Sequence, residues 1–312
     1  MEGSPGLKQE KPSSGVCQAQ LELAGVQALA ALQAGFGRGQ EVGPTRLLHL
    51  LVPGYNAAML VVALQSGSNG NCYYLEAGGA RLLVDAGISG RQVERRLAQR
   101  GLDVRQVDAL LISHDHRDHA CAMGIYQRKF HLPIYATART FQMANVMYRL
   151  GPIDRLHTFV AGASLRFKRL TVHTVPTSHD CADGVAFVFD DGRTRLGILT
   201  DLGHVFPELR EILGSLDAVI LESNYDPWML QNGPYPEYLK QRISGPRGHL
   251  SNAEAAELLR GAGSRLKWAC LAHLSEENNC PKLALRTHRR ILGDRLTLCL
   301  ASRYEATDVL EV

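Results

Sequence analysis

The chain has 312 residues, of which 45% are hydrophobic and 21% charged, and a formal net charge of +3. This is ordinary globular composition, enough for one large domain or two small ones, and the charge is too mild to demand a nucleic-acid partner though compatible with one. Seven cysteines at 17, 72, 121, 181, 270, 280 and 299, with no CxxC pair, argue against a disulfide framework or a zinc finger and for a reducing cytoplasm.

Residues 1–58 differ from the rest. Gly3-Ser4-Pro5-Gly6 and Lys11-Pro12-Ser13-Ser14-Gly15 have turn and linker composition, and Leu21 to Leu32 is an Ala- and Leu-rich stretch of helical character. The apolar run Leu47 to Val52 stops at Pro53-Gly54, too short to span a bilayer, and the start lacks the basic region and apolar run of a signal peptide. The expectation is a loose or over-extended N-terminal segment over 1–58, a catalytic domain over 59–312, a cytoplasmic location and no membrane partner.

From Met59 the apolar runs Leu60 to Leu64, Cys72 to Glu76 and Ala80 to Asp85 read as strands, the first two flanking the polar loop Gln65 to Asn71. A helix follows with clear punctuation: Ser89 as N-cap, Gln92 completing a capping box, Ile88 with Val93 as a hydrophobic staple, and Gly101 as the stop. Asp108 to Ile112 is a short buried strand. Further on, Ala120 to Phe130 and Arg139 to Leu150 read as helices around a strand at Pro133 to Ala136. Leu165 to Val175 alternates like one long strand. Val185 to Phe189 and Leu196 to Thr200 form a hairpin around Asp191-Gly192, and strands are expected at Leu216 to Glu222 and from near Leu266 to His273.

The chemistry is concentrated at strand ends. Ser113 to His119 reads SHDHRDH and begins where a strand runs out into a loop. Side chains alternate along an extended chain, so His114 and His116 point the same way and can grip one cation, while Asp118 and His119 can turn toward a second. Imidazole suits zinc and similar metals and carboxylate suits harder ions such as manganese, so two divalent cations, Zn2+ or Mn2+, are expected. His179 follows a strand end and would complete a three-histidine set. Asp201 stands where one carboxylate could bridge both metals, and His273 could cap the second beside Asp118 and His119. Asp85 is either an ordinary turn former or the hydrogen-bond acceptor that orients a ligating histidine, the better reading beside so many imidazoles.

The series Asp85, His114, His116, Asp118, His119, His179, Asp201 and His273 resembles the metallo-β-lactamase superfamily across nearly all of residues 59–300. That resemblance implies an α/β (α+β) fold, a four-layered αββα sandwich with two metals at one edge; the chain has no room for the inserted β-CASP domain of ribonuclease J-type enzymes. The segments SGSNGNCYYLE at 66–76, SHDCADGVAF at 178–187, TDLGH at 200–204, LESN at 221–224, NGPYPEYLKQRI at 232–243, GHLSNAEAAELL at 248–259 and LAHLSEENN at 271–279 resemble the YycJ/WalJ (VicX) group. Membership of that group implies a metal-dependent 5′→3′ exonuclease on DNA, linked to mismatch repair and so to repair proteins as partners. His249 resembles the histidine of the ribonuclease Z box that protonates a leaving group; read alone, it is either that donor or merely the residue before the cap formed by Ser251 or Asn252. Asp118 and His249 are therefore the catalytic candidates. Lys240, Arg242 and Arg247 are either phosphate contacts or plain surface, and Ser68, Asn69, Asn71, Asn278 and Asn279 are candidate hydrogen-bond donors at the cleft rim. RNA processing, a small cyclic phosphodiester and, behind these, a glyoxalase II-type thioester are the competing substrates.

Overall fold

Successive residues of an extended chain face opposite ways, and here both directions are buried. In the computed structural model, which describes residues 58–312, strand β1 (Leu60–Gln65) sends Val61 and Ala63 into one apolar cluster and Val62 and Leu64 into another. Strands β2 (Cys72–Ala77) and β3 (Ala80–Val84) divide their side chains the same way, Tyr73 and Leu82 on one side, Tyr74 and Leu83 on the other. A strand covered on both faces reads as a continuous apolar run, which is the pattern the sequence carries here.

The first sheet continues in parallel through β4 (Ala109–Leu111), β5 (Ile134–Thr137) and β6 (Leu156–Phe159). Helices α1 (Gly90–Gln99), α2 (Arg117–Ala120), α3 (Met123–Phe130) and α4 (Ala138–Tyr148) connect these strands. The chain then crosses to a second sheet made of β7 (Ser164–Phe167), β8 (Leu170–Pro176), β9 (Val185–Asp190), β10 (Arg195–Leu199), β11 (Ala218–Glu222), β12 (Trp268–Ala272) and β13 (Thr297–Leu300). Its helices are α5 (Pro207–Gly214), α6 (Pro227–Asn232), α7 (Glu237–Ser244), α8 (Asn252–Arg260) and α9 (Pro281–Leu292). A last strand, β14 (Leu310–Glu311), returns to pair with β1, giving the orders β14-β1-β2-β3-β4-β5-β6 and β13-β12-β11-β10-β9-β8-β7.

Three apolar layers hold this together. Val61, Tyr73, Leu82 and Leu111 meet Val172, Phe187, Ile198 and Ile220 between the sheets. Val93 and Leu97 of α1 with Met123 and Tyr126 of α3 cover the outside of the first sheet, and Leu209 and Leu213 of α5 with Leu258 of α8 cover the outside of the second. The expected four-layered αββα sandwich is the observed one. Among the described residues no further domain interrupts it, and none of their helices is long and apolar enough to cross a membrane. The expectation for residues 1–58 lies outside the described residues, apart from the last of them.

The expected capping box of α1 is present, with Ser89 and Gln92 reciprocally bonded. Two expectations are corrected. Leu165 to Val175 is not one strand but the hairpin β7–β8, turning at Lys168-Arg169. Lys168 takes the left-handed conformation (φ 55°) without being glycine, and its ammonium is anchored to Gly79 O and the Asp108 carboxylate, so tertiary bonds hold a turn that no turn residue announces. The helix expected from Ala120 to Phe130 is α3, which starts three residues later at Met123, and a separate short helix, α2, precedes it from Arg117 and carries Asp118 and His119.

The topology also sets two edges. Strands β1, β3 and β4 of the first sheet and β8, β10, β11 and β12 of the second run the same way within their sheets, and their C-terminal ends lead into loops bonded across the sheets: Val185 N donates to Ser113 O (3.0 Å) and His273 N to Ser66 Oγ (2.8 Å). At the opposite edge the two ends of the described chain meet, with Val312 N donating to Met59 O (3.0 Å).

Candidate metal centre

Asp85 stands one residue beyond β3, buried and in the left-handed region at φ 65°. Its Oδ1 accepts the Ser113 amide (2.8 Å), and its Oδ2 accepts the Ser113 hydroxyl (3.0 Å) and lies 2.7 Å from His119 Nδ1. A carboxylate at that distance fixes the imidazole proton on Nδ1 and leaves Nε2 to face Asp201 Oδ2 (3.3 Å) and Asp118 Oδ2 (3.5 Å). Asp85 thus has the orienting geometry expected of it, bound to the histidine that starts the second candidate group.

The other sheet-edge loops converge on the same place. His114 follows β4, and its Nε2 is buried without a hydrogen-bond partner. His116 Nδ1 lies 3.2 Å from His179 Nε2, while His179 Nδ1 donates to Gly248 O (2.8 Å). His273, just past β12, has Nε2 3.4 Å from Asp118 Oδ2 and 3.6 Å from Asp201 Oδ1. Asp201 sits between the groups: its Oδ1 is 3.7 Å from His179 Nε2, and its buried Oδ2 has no hydrogen-bond partner. The ligand atoms of His114, His116 and His179 all lie within 4.8 Å of one another, as do those of Asp118, His119 and His273, and those of His114, His119 and Asp201.

Such crowding is costly unless something fills it. Buried polar atoms without partners cost about 1–3 kcal/mol each, and Asp85, Asp201 and His273 all hold non-glycine left-handed backbone, at φ 65°, 57° and 54°. Buried imidazoles with carboxylates among them form a donor set suited to a divalent cation, so the residues present fit a metal. The electrostatics agree. Burial, with His119 nearby, pushes His114 well below its ordinary range, and burial pushes His179 down to about 4, which keeps both neutral and able to ligate. Burial alone would raise the Asp118 and Asp201 carboxyls, but the surrounding histidines outweigh it and hold both well below the usual range.

Glu222 was not among the residues singled out from sequence. It ends β11, is fully buried, and accepts hydrogen bonds from the amides of Asp201 (3.2 Å), Leu202 (3.0 Å) and Leu250 (3.3 Å). Its Oε2 also lies 3.2 Å from His249 Nδ1. The signal was there: an acidic residue closing the run Ala218-Val219-Ile220-Leu221, the same strand-end pattern that marked Asp85. His249 is 3.6 Å from Asp201 Oδ1 with 17% of its side chain exposed. Burial would lower its pKa, but the Glu222 hydrogen bond and charge raise it. The helix cap after it is Ser251, in a capping box with Glu254.

The remaining candidates separate. Asn71 is buried inside the cluster rather than on the rim, with Nδ2 3.2 Å from Asp118 Oδ2 and 2.8 Å from His119 Nε2. Ser68 and Asn69 are exposed on the loop before it. Arg242 pairs with Asp180, whose Oδ1 lies 3.5 Å from His179 Nε2 and 3.7 Å from His116 Nε2, so this cation reaches the cluster through one carboxylate. Arg247 is exposed, and Lys240 bonds Gln231 O (2.6 Å). Asn278 and Asn279 are corrected: both are buried, and the Asn279 amide is used on Ser223 O, Asn224 O and Asn252, so it braces loops instead of lining a rim.

Layered helices around two sheets, with nitrogen and oxygen ligands gathered from both sheets at one edge, define a metal-dependent hydrolase of the metallo-β-lactamase fold. Residues 80–273 match the family described as Beta-lactamase superfamily domain, and the chain belongs to it. It is 38% identical over 228 residues to the exodeoxyribonuclease WalJ of Streptococcus pneumoniae serotype 2, a match covering 72% of this chain and 84% of that relative. It is 33% identical over 233 residues to the exodeoxyribonuclease YycJ of Bacillus anthracis, covering 74% of this chain and 88% of the relative. Among solved structures, the metallo-β-lactamase fold protein YhfI of Bacillus subtilis superposes with a TM-score of 0.62 at 17% identity, over 82% of this chain and all of YhfI, a likeness of fold.

Proposed function

We propose that this hydrolase is a 5′→3′ exodeoxyribonuclease that uses two divalent cations, zinc or manganese, and works in the cytoplasm among DNA-repair proteins. The observation that carries the phosphodiester reading is His249, held by Glu222 beside Asp201, where a departing oxygen needs a proton. The exodeoxyribonuclease names of both relatives support DNA as substrate. The six free cysteines among the described residues support a reducing compartment.

In this reading His114, His116 and His179 would hold one cation and Asp118, His119 and His273 the other, with the Asp201 carboxylate between the two groups available to either. Bound cations supply Lewis-acid activation of water and neutralise the phosphate oxygens. The chain's own residues do the rest. Asp85 and Gly248 O each fix a histidine proton on Nδ1, so that His119 and His179 present Nε2. Asp118, the ligand carboxylate more open to solvent (20% against 5% for Asp201), orients the attacking water. His249 donates its proton to the leaving oxygen, and Glu222 steadies the charged ring before the transfer. Arg242 and Arg247 at the edge of the cleft, with Lys240 behind them, meet flanking phosphates.

The test is hydrolysis of 5′-end-labelled double-stranded DNA, single-stranded DNA and RNA by the full chain, with manganese or zinc, beside an Asp118→Ala/His119→Ala control. Mononucleotides released from the 5′ end of DNA and lost in the control are expected. Intact DNA with degraded RNA, or hydrolysis only of a cyclic phosphodiester or a thioester, would keep the metal site and overturn the substrate.

A further inference from the structure

Between α6 and α9 lies a groove of about 580 Å³, outside the metal cluster and of different chemistry. Trp228, in the first turn of α6, lines it with 72% of its surface exposed, above a floor that includes Met229 and Leu283. Across from it α9 carries Lys282, Arg286 and Arg290 at four-residue spacing, one stripe of cations about 6 Å apart along the helix. Arg289 stands beside them, and all four are exposed. Among the described residues no carboxylate pairs with any of the four. Like charges at that spacing weaken a helix, so the stripe calls for an anionic occupant. Asp226 is the acid lining the groove, and its Oδ1 is occupied in capping α6, accepting the amides of Trp228 and Met229 at 3.0 Å each. The groove is joined to the metal edge by one short loop. Asp226 N donates to Asn278 O (2.8 Å), and two residues earlier Asn224 Nδ2 donates to His273 O (2.8 Å).

We propose that this groove binds a single-stranded stretch of DNA, with one base stacked on the Trp228 indole and its phosphates on Arg286 and Arg290. Lys282 and Arg289 extend the cationic track. Inside a duplex the bases are stacked on both faces and none is open to an indole, whereas a single strand offers a ring face at every nucleotide. Phosphates supply the charge that the stripe lacks. The proposal rests on the reading of the chain as a DNA-degrading enzyme, and the bound strand is a part of the substrate held away from the reacting bond.

The experiment measures binding of fluorescein-labelled oligo(dT) to the full chain in EDTA, by anisotropy at several salt concentrations, and quenching of tryptophan fluorescence. Trp228→Ala is expected to weaken binding about tenfold and to abolish the quench, and Trp228→Phe to restore much of the affinity. Arg286→Ala/Arg290→Ala is expected to weaken binding and to reduce the slope of log affinity against log salt by about 1.4. With metal restored, hydrolysis of bis(p-nitrophenyl) phosphate, too small to span both sites, stays at the wild-type rate in every variant. Equal oligo(dT) binding by wild type and variants overturns the proposal, as does a wild type that binds only duplex DNA or only oligo(U). Quenching and variant losses in a wild type that degrades no DNA would overturn the exonuclease reading and leave the groove standing. DNA degradation with variant binding unchanged would overturn the groove alone.

Discussion

Glu222 is one carboxylate with two tasks: it receives the amides that hold Asp201 and Leu202 in place, and it faces His249. Replacing Glu222 by Gln keeps the size and part of the hydrogen bonding but removes the charge that raises the His249 pKa. The expected loss is about 10- to 100-fold in kcat with a smaller effect on KM. The sign of the pH effect follows from the role. His249 must be protonated to donate, so activity falls as pH rises through its pKa, and a lower pKa moves that alkaline limb to lower pH. A pH–rate profile of Glu222→Gln with an unshifted alkaline limb would remove His249 from the proton-donor role. The left-handed backbone at Asp85, Asp201 and His273 belongs to the same scale: each costs about 1 kcal/mol or more, and each turns a side chain from a strand end into the cluster.

At the scale of elements, α2 lies where it does because residue 87 is glycine. A Cβ there would meet Asp118 O at 1.7 Å and Asn71 N at 2.6 Å, both backbone atoms that cannot swing aside. Gly87→Ala is expected to push α2 away from the β3 loop, destabilising the fold by about 1–3 kcal/mol and displacing Asp118 and His119. Urea unfolding and a zinc titration by calorimetry read the two effects. The sandwich strands were legible from sequence because they are buried on both faces, and α1 because Ser89 and Gln92 form a local capping box. What was missed depended on tertiary partners. The Lys168 turn is held by Asp108 and Gly79, far away in the chain. Helix α2 starts at an N-cap, His116, that makes no side-chain cap bond, and β6 is half-exposed and too polar to stand out. The candidate site was legible at Asp85, His114, Asp201 and His273, where a ligand-type residue follows an apolar strand, although Glu222 carries the same pattern and was passed over. Asn278 and Asn279 could not be read that way, since their burial comes from loops folding over them.

At the scale of the whole described fold, the two sheets share the candidate metal centre. His114, His116, Asp118 and His119 follow strands of the first sheet, and His179, Asp201 and His273 follow strands of the second. A cation held from both sides binds the folded state alone and raises its melting temperature. Adding zinc to metal-free protein should raise Tm, EDTA should reverse the rise, and His114→Ala and His273→Ala should each reduce it although they lie on different sheets. A rise in both variants as large as in the wild type would argue that zinc binds elsewhere. At the far edge, where Val312 N reaches Met59 O at 3.0 Å, the described residues 58–312 form almost a closed ring. A linker of a few residues from 312 to 58, with new termini opened at exposed Gly192 in the β9–β10 turn, yields a circular permutant in which cut and join both lie opposite the ligands. Such a rewired chain should hydrolyse bis(p-nitrophenyl) phosphate at close to the parental rate, because the order in which the strands are threaded is independent of the edge that does the chemistry.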